Sequence, residues 1–194
     1  MKLRCVALML MGLIALQTKL EARTLIGDLD NVEHGGYGAP AVRFTQIDGD
    51  FSVLSGGRGG WIINHRFVLG GGGYGLANPK DVTAPDATGD PVPGELEMGY
   101  GGGILEYIVS SDALVHISVE LLVGAGGLTT AKHAESDAFF VTEPGANVML
   151  NVTQFFRFGA GVSYRYTAGA HFGGLEDDDL TGASVGLIAK FGSF

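Results

Sequence analysis

The sequence has 194 residues, enough for one domain, and carries a formal net charge of −9. This acidic balance argues against a nucleic-acid partner, because binding phosphates requires a basic surface. Apolar residues make up 46% of the chain and charged residues only 17%, which excludes a disordered polar chain. The 33 glycines exceed twice the usual share of ~7%, and favour strands that bend strongly or approach one another closely.

Residues 1–22 have the layout of a secretory signal peptide. A basic start precedes the mainly apolar run Cys5–Leu16, which is shorter than the ~20 residues of a membrane-spanning helix. We expect cleavage after Ala22, then a polar periplasmic lead-in, 23–34, and a folded domain, 35–194. An uncleaved membrane anchor is the alternative. The sole cysteine lies in the apolar run, so a mature chain would have neither a disulfide nor a cysteine-bound zinc.

Eight extended segments are predicted from Gly35 onward, each ended by a turn signal or a polar loop. They are 37–47, 51–63, 67–77, 95–109, 113–128, 139–152, 158–170 and 180–191. Connections after the second, fourth and sixth segments are short, whereas those after the third, fifth and seventh are longer and more acidic. This asymmetry is typical of up-and-down membrane barrels whose N-terminus is periplasmic. The first connection is an exception, because it is short where a long loop is expected.

Alternation of apolar and polar residues assigns the faces of the later strands. In the fifth segment, Val115, Ile117, Val119, Leu121 and Val123 share one face, and His116, Ser118 and Glu120 share the other. A period of two with one apolar face indicates a half-buried strand. A soluble barrel with its apolar face inward would give the same pattern. The length of the runs favours a membrane, because ~9–11 residues are needed to cross it obliquely.

The same strand phase predicts an interior charge network. Its members are Arg43, Arg58, Glu97, His116, Glu120, Glu143, Arg165 and Lys190. Glu106 joins them only if the fourth strand contains a bulge near Gly103. Eight strands enclose a space that side chains alone can fill, and an unpaired buried charge costs several kcal/mol. We therefore expect these groups to pair across a plugged polar interior without an open pore.

The predicted architecture resembles a known class of protein. Eight alternating strands, a signal peptide, short inner turns and a final Phe194 resemble the small outer-membrane barrels of the OmpA/OmpX type. The run GGRGGWIINHRFVLGGGGYGLAN, which begins at Gly56, is similar to a motif of uncharacterised small secreted bacterial proteins. The first resemblance implies an all-β, eight-stranded antiparallel transmembrane barrel in a Gram-negative outer membrane. Neither resemblance implies catalytic residues.

Two motifs raise the question of a cofactor or of catalysis. Gly70, Gly72 and Gly75 have dinucleotide-binding spacing, but Pro79 opens a loop where that motif requires a helix. We therefore expect no cofactor. His116, Ser118 and Glu120 suggest a lipid-modifying hydrolase. However, alternate residues of one strand lie about 7 Å apart, too far for the relay that activates a nucleophile. The sequence therefore predicts no catalytic site.

A run of carboxylates occupies the last long loop. Glu176, Asp177, Asp178 and Asp179 supply the oxygen ligands that Ca²⁺ prefers. The alternatives are a solvated acidic loop and contact with divalent ions that bridge lipopolysaccharide phosphates.

We predict a non-enzymatic outer-membrane barrel that displays acidic loops for envelope integrity or for contact with a partner. Its expected partners are the lipid bilayer and either lipopolysaccharide or an external protein, and no nucleic acid. Two alternatives remain open: a lipid-modifying outer-membrane enzyme, and a soluble periplasmic barrel that binds an apolar ligand.

Overall fold

The computed structural model describes residues 32–78, 80–85, 91–130 and 136–194. The predicted signal peptide and nearly all of the lead-in lie outside the described residues. The elements are β1 (His34–Ile47), β2 (Asp50–Ile63), β3 (Phe67–Leu76), β4 (Asp81–Pro85), β5 (Pro91–Val109), β6 (Val115–Thr130), β7 (Ser136–Asn151), β8 (Phe156–Ala168), β9 (His171–Phe172), β10 (Leu175–Glu176), α1 (Asp177–Leu180) and β11 (Gly182–Ser193).

Eight of these strands close into one barrel. Their order is β3-β2-β1-β11-β8-β7-β6-β5, and pairing of β3 with β5 joins the two edges. Every pairing in this ring is antiparallel. The predicted eight-stranded antiparallel up-and-down barrel is confirmed.

The prediction of a loop between the third and fourth segments, residues 78–94, was wrong in part. Strand β4 lies within it and pairs with β5, which begins at Pro91 rather than at residue 95. Both Pro91 and Pro93 belong to this hairpin, whose register sets Pro85 opposite Pro91. Proline is tolerated in a strand where its nitrogen is not needed for a ladder hydrogen bond. The sequence rule that treats proline as a loop signal therefore placed the strand boundary too late.

Short turns and longer connections occupy opposite ends of the barrel. We call the end that carries turns 64–66, 110–114 and 152–155 the turn end, and the opposite one the loop end. The two-residue β1–β2 turn is at the loop end, with φ of 53° at Asp48 and 74° at Gly49. Positive φ at both central positions gives a turn whose twist matches that of the flanking strands. The first connection is thus the short exception that the sequence indicates.

The outer surface of the barrel is apolar. On β6, Val115, Ile117 and Val119 are about half exposed, whereas the alternating His116 and Ser118 are buried. Large outward side chains from other strands include Leu69, Leu105, Val162, Val185 and Phe191. The predicted assignment of the two faces of β6 is therefore correct.

The interior is less uniformly polar than the sequence suggested. Near the loop end, Ile47, Leu54, Leu96, Leu128 and Leu180 are buried inside it. Toward the turn end, Ile62, Val68, Ile108 and Met149 are buried as well. Apolar groups at both ends separate the charges in the middle from water, which strengthens the attraction between opposite charges.

Inward-facing glycines make room for the long charged side chains. A Cβ on Gly72 would lie 2.7 Å from the Cβ of Arg58 and 3.0 Å from the Cδ1 of Ile104. A Cβ on Gly186 would lie 3.3 Å from the Cγ of Arg43. Any larger residue at these positions would displace an arginine that takes part in an ion pair.

Substitution of Gly72 by alanine should destabilise the barrel by about 1–3 kcal/mol, because the new methyl group overpacks the space beside Arg58. Gly103→Ala is the matched control, since a Cβ on outward-facing Gly103 meets no atom within 4 Å. The urea midpoints of both variants are measured from the loss of the fast-migrating folded form on gels of unboiled samples. Equal midpoints for the two variants would contradict the packing argument.

Candidate functional site

The charged centre begins at Glu106 of β5, whose carboxylate accepts four hydrogen bonds from three side chains. Lys190 Nζ donates to Oε1 at 2.6 Å and to Oε2 at 2.8 Å. Tyr37 Oη donates to Oε2 at 3.0 Å, and Arg58 Nη2 donates to the same oxygen at 3.2 Å. The side chain of Glu106 is 0% exposed. A buried carboxylate with this many donors is held in its ionised form.

The carboxylate of Glu120, on β6, accepts hydrogen bonds from both terminal nitrogens of Arg58. Arg58 Nη1 lies 2.7 Å from Oε1, and Nη2 lies 2.6 Å from Oε2. This two-pronged geometry is the strong form of an arginine–carboxylate pair. Asn147 Nδ2 also donates to Oε2 at 2.7 Å, and Arg43 Nη2 donates to Oε1 at 3.4 Å. Arg58 thereby joins the carboxylates of Glu106 and Glu120.

Glu143 of β7 ends the chain of ion pairs. It pairs with Arg43, and it accepts hydrogen bonds from Tyr100 Oη at 2.9 Å and Ser163 Oγ at 2.6 Å. The ring of Tyr74 lies beneath Arg43, with 3.9 Å between the guanidinium carbon and the ring centroid. The aromatic face adds a further attraction for the cation.

Together these residues form one alternating series, which we call the charge chain. It runs through Lys190, Glu106, Arg58, Glu120, Arg43 and Glu143. These residues come from six of the eight barrel strands. Each cation lies beside at least one carboxylate, so the low-dielectric interior favours the paired state over any single broken pair.

The sequence-predicted network members fall into three groups. Arg43, Arg58, Glu120, Glu143 and Lys190 belong to the charge chain. His116 and Arg165 are buried inside the barrel and make no ion pair with a described carboxylate. Glu97 is exposed on the outer side of the barrel.

The interior position predicted for Glu97 was wrong, and β5 has no bulge near Gly103. Leu96 and Met98 are buried on either side of Glu97, which fixes the even-numbered positions of β5 as inward. The ladder runs without interruption through Gly103, which pairs with Gly71 on β3. Glu106 is therefore inward without any slip, and three side chains donate to its carboxylate.

The three residues that suggested a hydrolase do not form a relay. His116 and Ser118 are buried, and the carboxylate of Glu120 is held by Arg58 and Asn147. Over the described part of the chain, no hydrogen bond links any two of the three. The arrangement provides charge pairing and no activated nucleophile.

Two carboxylates of the last long loop accept hydrogen bonds from backbone amides at or near α1. Asp179 Oδ2 accepts from the amide of Glu176 at 2.8 Å, and Asp177 Oδ1 accepts from the amide of Ala170 at 2.7 Å. Hydrogen bonds from the Ala170 and Gly169 amides lower the pKa of Asp177. No group of three metal-ligating side chains is arranged to hold an ion within residues 32–78, 80–85, 91–130 and 136–194. Asp179 thus caps the start of α1, and Asp177 holds the backbone near Ala170.

Side chains pack inside both ends of the barrel. At the loop end, β9, β10 and α1 bury Phe172, Leu175 and Leu180, and Asp48 donates its amide to the carbonyl of Asp179 at 2.8 Å. At the turn end, the Arg157 guanidinium carbon lies 4.0 Å from the centroid of the Phe194 ring. Phe194 therefore points inward, which explains why it is out of phase with the outward Phe191.

A closed ring of eight antiparallel strands, apolar outside and ion-paired inside, defines a small β-barrel of the outer-membrane type. Three similar solved structures have this fold. Neisserial surface protein A matches with a TM-score of 0.60 and 11% identity, over 83% of this chain and 98% of that one. The N-terminal barrel of Pseudomonas aeruginosa OprF matches with a TM-score of 0.54 and 13% identity, over 84% and 99%.

The third similar structure is Ail of Yersinia pestis, solved in complex with the heparin analogue sucrose octasulfate. It has a TM-score of 0.50 and 12% identity, over 82% of this chain and 97% of that one. Neither a protein-family model nor a curated protein matches the chain. The described residues include no helix long and apolar enough to span a membrane. At these identities the similarity establishes the fold.

Glu106→Gln should lower the free energy of unfolding by about 3 kcal/mol or more, because it leaves Lys190 and Arg58 without their shared carboxylate. Glu97→Gln, on the same strand but facing outward, should change stability by less than about 0.5 kcal/mol. Guanidinium unfolding of both variants in the same detergent measures the difference. Similar losses for both would show that the charge chain does not stabilise the barrel.

Asp177→Asn should speed amide exchange at Ala170 at neutral pH, because a carboxylate binds that amide more strongly than a neutral side chain does. The pKa of Asp177 is lower in the folded protein than in the unfolded one. The stabilisation is therefore complete above the unfolded pKa and is lost as the pH falls through the folded pKa. The gap between wild type and variant should accordingly shrink in strong acid. Hydrogen exchange at matched pH checks this, and exposed Asp178→Asn is the control.

Proposed function

We propose that this chain is a non-enzymatic barrel of a bacterial outer membrane, exported with a cleaved signal peptide, whose plugged interior supports an acidic external surface. The observation that carries the proposal is the inversion of polarity. Apolar side chains face outward from the barrel, and charged side chains are buried within it.

The outward apolar surface supports the membrane location. Leu69, Leu105, Val115, Val162 and Val185 come from five different strands, and each is more than half exposed. A continuous apolar surface of this kind is unfavourable in water and matches the lipid-facing band of a transmembrane barrel. It also disfavours a soluble barrel that holds an apolar ligand, whose oily face would be inside.

The packing of the interior supports the proposal that the barrel has no open pore. The charge chain crosses the lumen, and buried side chains pack inside both ends. A cavity of about 20 Å³ beside Arg43 and Arg58 has room for about one water molecule. A steady ionic current needs a continuous wet path, and breaking the ion pairs to open one would cost several kcal/mol.

Exposed carboxylates at the loop end support the proposal that this surface contacts cationic groups. Asp48, Asp50, Asp81, Glu176 and Asp178 are exposed there. Lys80 pairs with Asp50 at 3.1 Å and donates to the carbonyl of Ile47, so its charge is already partly neutralised. The partners that fit are divalent ions bound to lipopolysaccharide phosphates, or a basic external protein. The ligand of Ail is a polyanion, which this acidic surface would repel.

Four measurements on the full-length protein test the proposal. We expect it to fractionate with the outer membrane, to require detergent, and to migrate faster on gels before boiling than after. We also expect planar bilayers to show no large steady conductance. Recovery as a detergent-free soluble protein would reject the membrane location. A large steady current from a detergent-dependent protein would reject the plug alone.

A further inference from the structure

Arg165 of β8 is the one described cation of the interior that is both 0% exposed and outside the charge chain. Its Nε donates to the carbonyl of Leu180 at 2.7 Å. Its two terminal nitrogens, Nη1 and Nη2, have no hydrogen-bond partner among the described residues. The ring of Tyr100 lies to one side, with its centroid 5.6 Å from the guanidinium carbon.

The carboxylate across the strand pair from Arg165, that of Glu143, already has other partners. The β7–β8 register pairs Thr142 with Tyr166 and Gly145 with Ser163, which sets Glu143 opposite Arg165. Both oxygens of Glu143 accept other donors, namely Ser163 on one and Tyr100 and Arg43 on the other. Arg165 therefore contributes a charge that the neighbouring residues do not balance.

The charge inventory of the interior shows the same excess. Five buried cations, Arg43, Arg58, Arg157, Arg165 and Lys190, stand against three carboxylates, Glu106, Glu120 and Glu143, a surplus of two positive charges in the described barrel. Arg157 lies at the turn end against Phe194. An arginine cannot lose its proton inside a protein, so the charge on Arg165 persists and requires a negative partner.

A second buried group without a partner lies on the neighbouring strand. Gly182 of β11 is the ladder partner of Arg165, and Ser184 follows two residues later on the same inward face. Ser184 is 3% exposed, and its Oγ has no hydrogen-bond partner within the described chain. The guanidinium of Arg165 and the hydroxyl of Ser184 therefore face inward from neighbouring strands, in diagonal register, and the carboxylates of the charge chain are already paired with other donors. Such a set of donors is the recognition chemistry of an anion.

We propose that Arg165, together with Ser184, binds a small inorganic anion of chloride size inside the barrel, beneath the cover formed by β9, β10 and α1. The terminal nitrogens have no contact with solvent, so the ion is enclosed when the barrel closes. A multiply charged or bulky organic anion would need an open path through the buried layer around Leu180. The inference concerns the interior alone and does not depend on the membrane location or on the external partner.

Crystals of the wild-type barrel grown with bromide in place of chloride test the site directly. We expect an anomalous peak within hydrogen-bond distance of the Arg165 terminal nitrogens, close to Ser184 Oγ. Arg165→Met should abolish the peak. Density at that position without anomalous signal would mean an ordered water, and that result would overturn the proposal.

Thermal unfolding in detergent tests the same site in solution. At constant ionic strength, replacing gluconate by chloride should raise the midpoint of the wild type by several degrees, because only the folded state holds the ion. Ser184→Ala should weaken this dependence, and Arg165→Met should remove it. In gluconate, Arg165→Met should be at least as stable as the wild type, because it removes an unpaired buried charge.

Arg157→Met is the matched control, since it removes a buried arginine at the other mouth. It should keep the chloride dependence of the wild type. Equal midpoints of the wild type in chloride and gluconate would reject the site. If the Arg165→Met variant keeps the chloride dependence, the anion binds elsewhere, and that result would also reject the site at Arg165.

Discussion

The structure depends on pairing opposite charges in a space that excludes water. A narrow barrel cannot hydrate its polar side chains, so each carboxylate must take its donors from other strands. Glu106 takes them from Lys190, Arg58 and Tyr37, which belong to three different strands. The apolar outer face and the inward glycines follow from this requirement. Oily groups are left for the outside, and glycine supplies the room that a guanidinium needs beside its neighbours.

Much of this fold could be predicted from alternation and turn chemistry. The β6 sequence separates its two faces unambiguously, and the turn at Asp48-Gly49 was recognisable from its residues. Strand boundaries near proline were not predictable by the same rules, because the β4–β5 hairpin accommodates Pro91 and Pro93 within a ladder. The error at Glu97 has a related cause. In a strand with four glycines between residues 99 and 103, few side chains remain to mark the phase.

The identity of the partners inside the barrel could not be predicted either. Alternation states which residues face inward, but it does not state which of them meet. Arg43 and Arg58 were both expected inside, yet the pairing of Arg58 with two carboxylates depends on strand stagger around the ring. The backbone contacts of Asp177 and Asp179 were also hidden, because a run of acidic residues has the same sequence whether it binds a cation, water or its own backbone.

The ion pairs of the charge chain cross the lumen, and this has a consequence for how the molecule assembles. In the ring, β5 and β11 lie four strands apart in either direction, so Glu106 and Lys190 are on opposite walls. A partly wound sheet cannot bring them together. Until the last two edges meet, Lys190 cannot reach Glu106, and its ammonium group must stay hydrated. The final step of maturation therefore expels that water and forms this ion pair, which couples the burial of the Lys190 charge to closure of the ring.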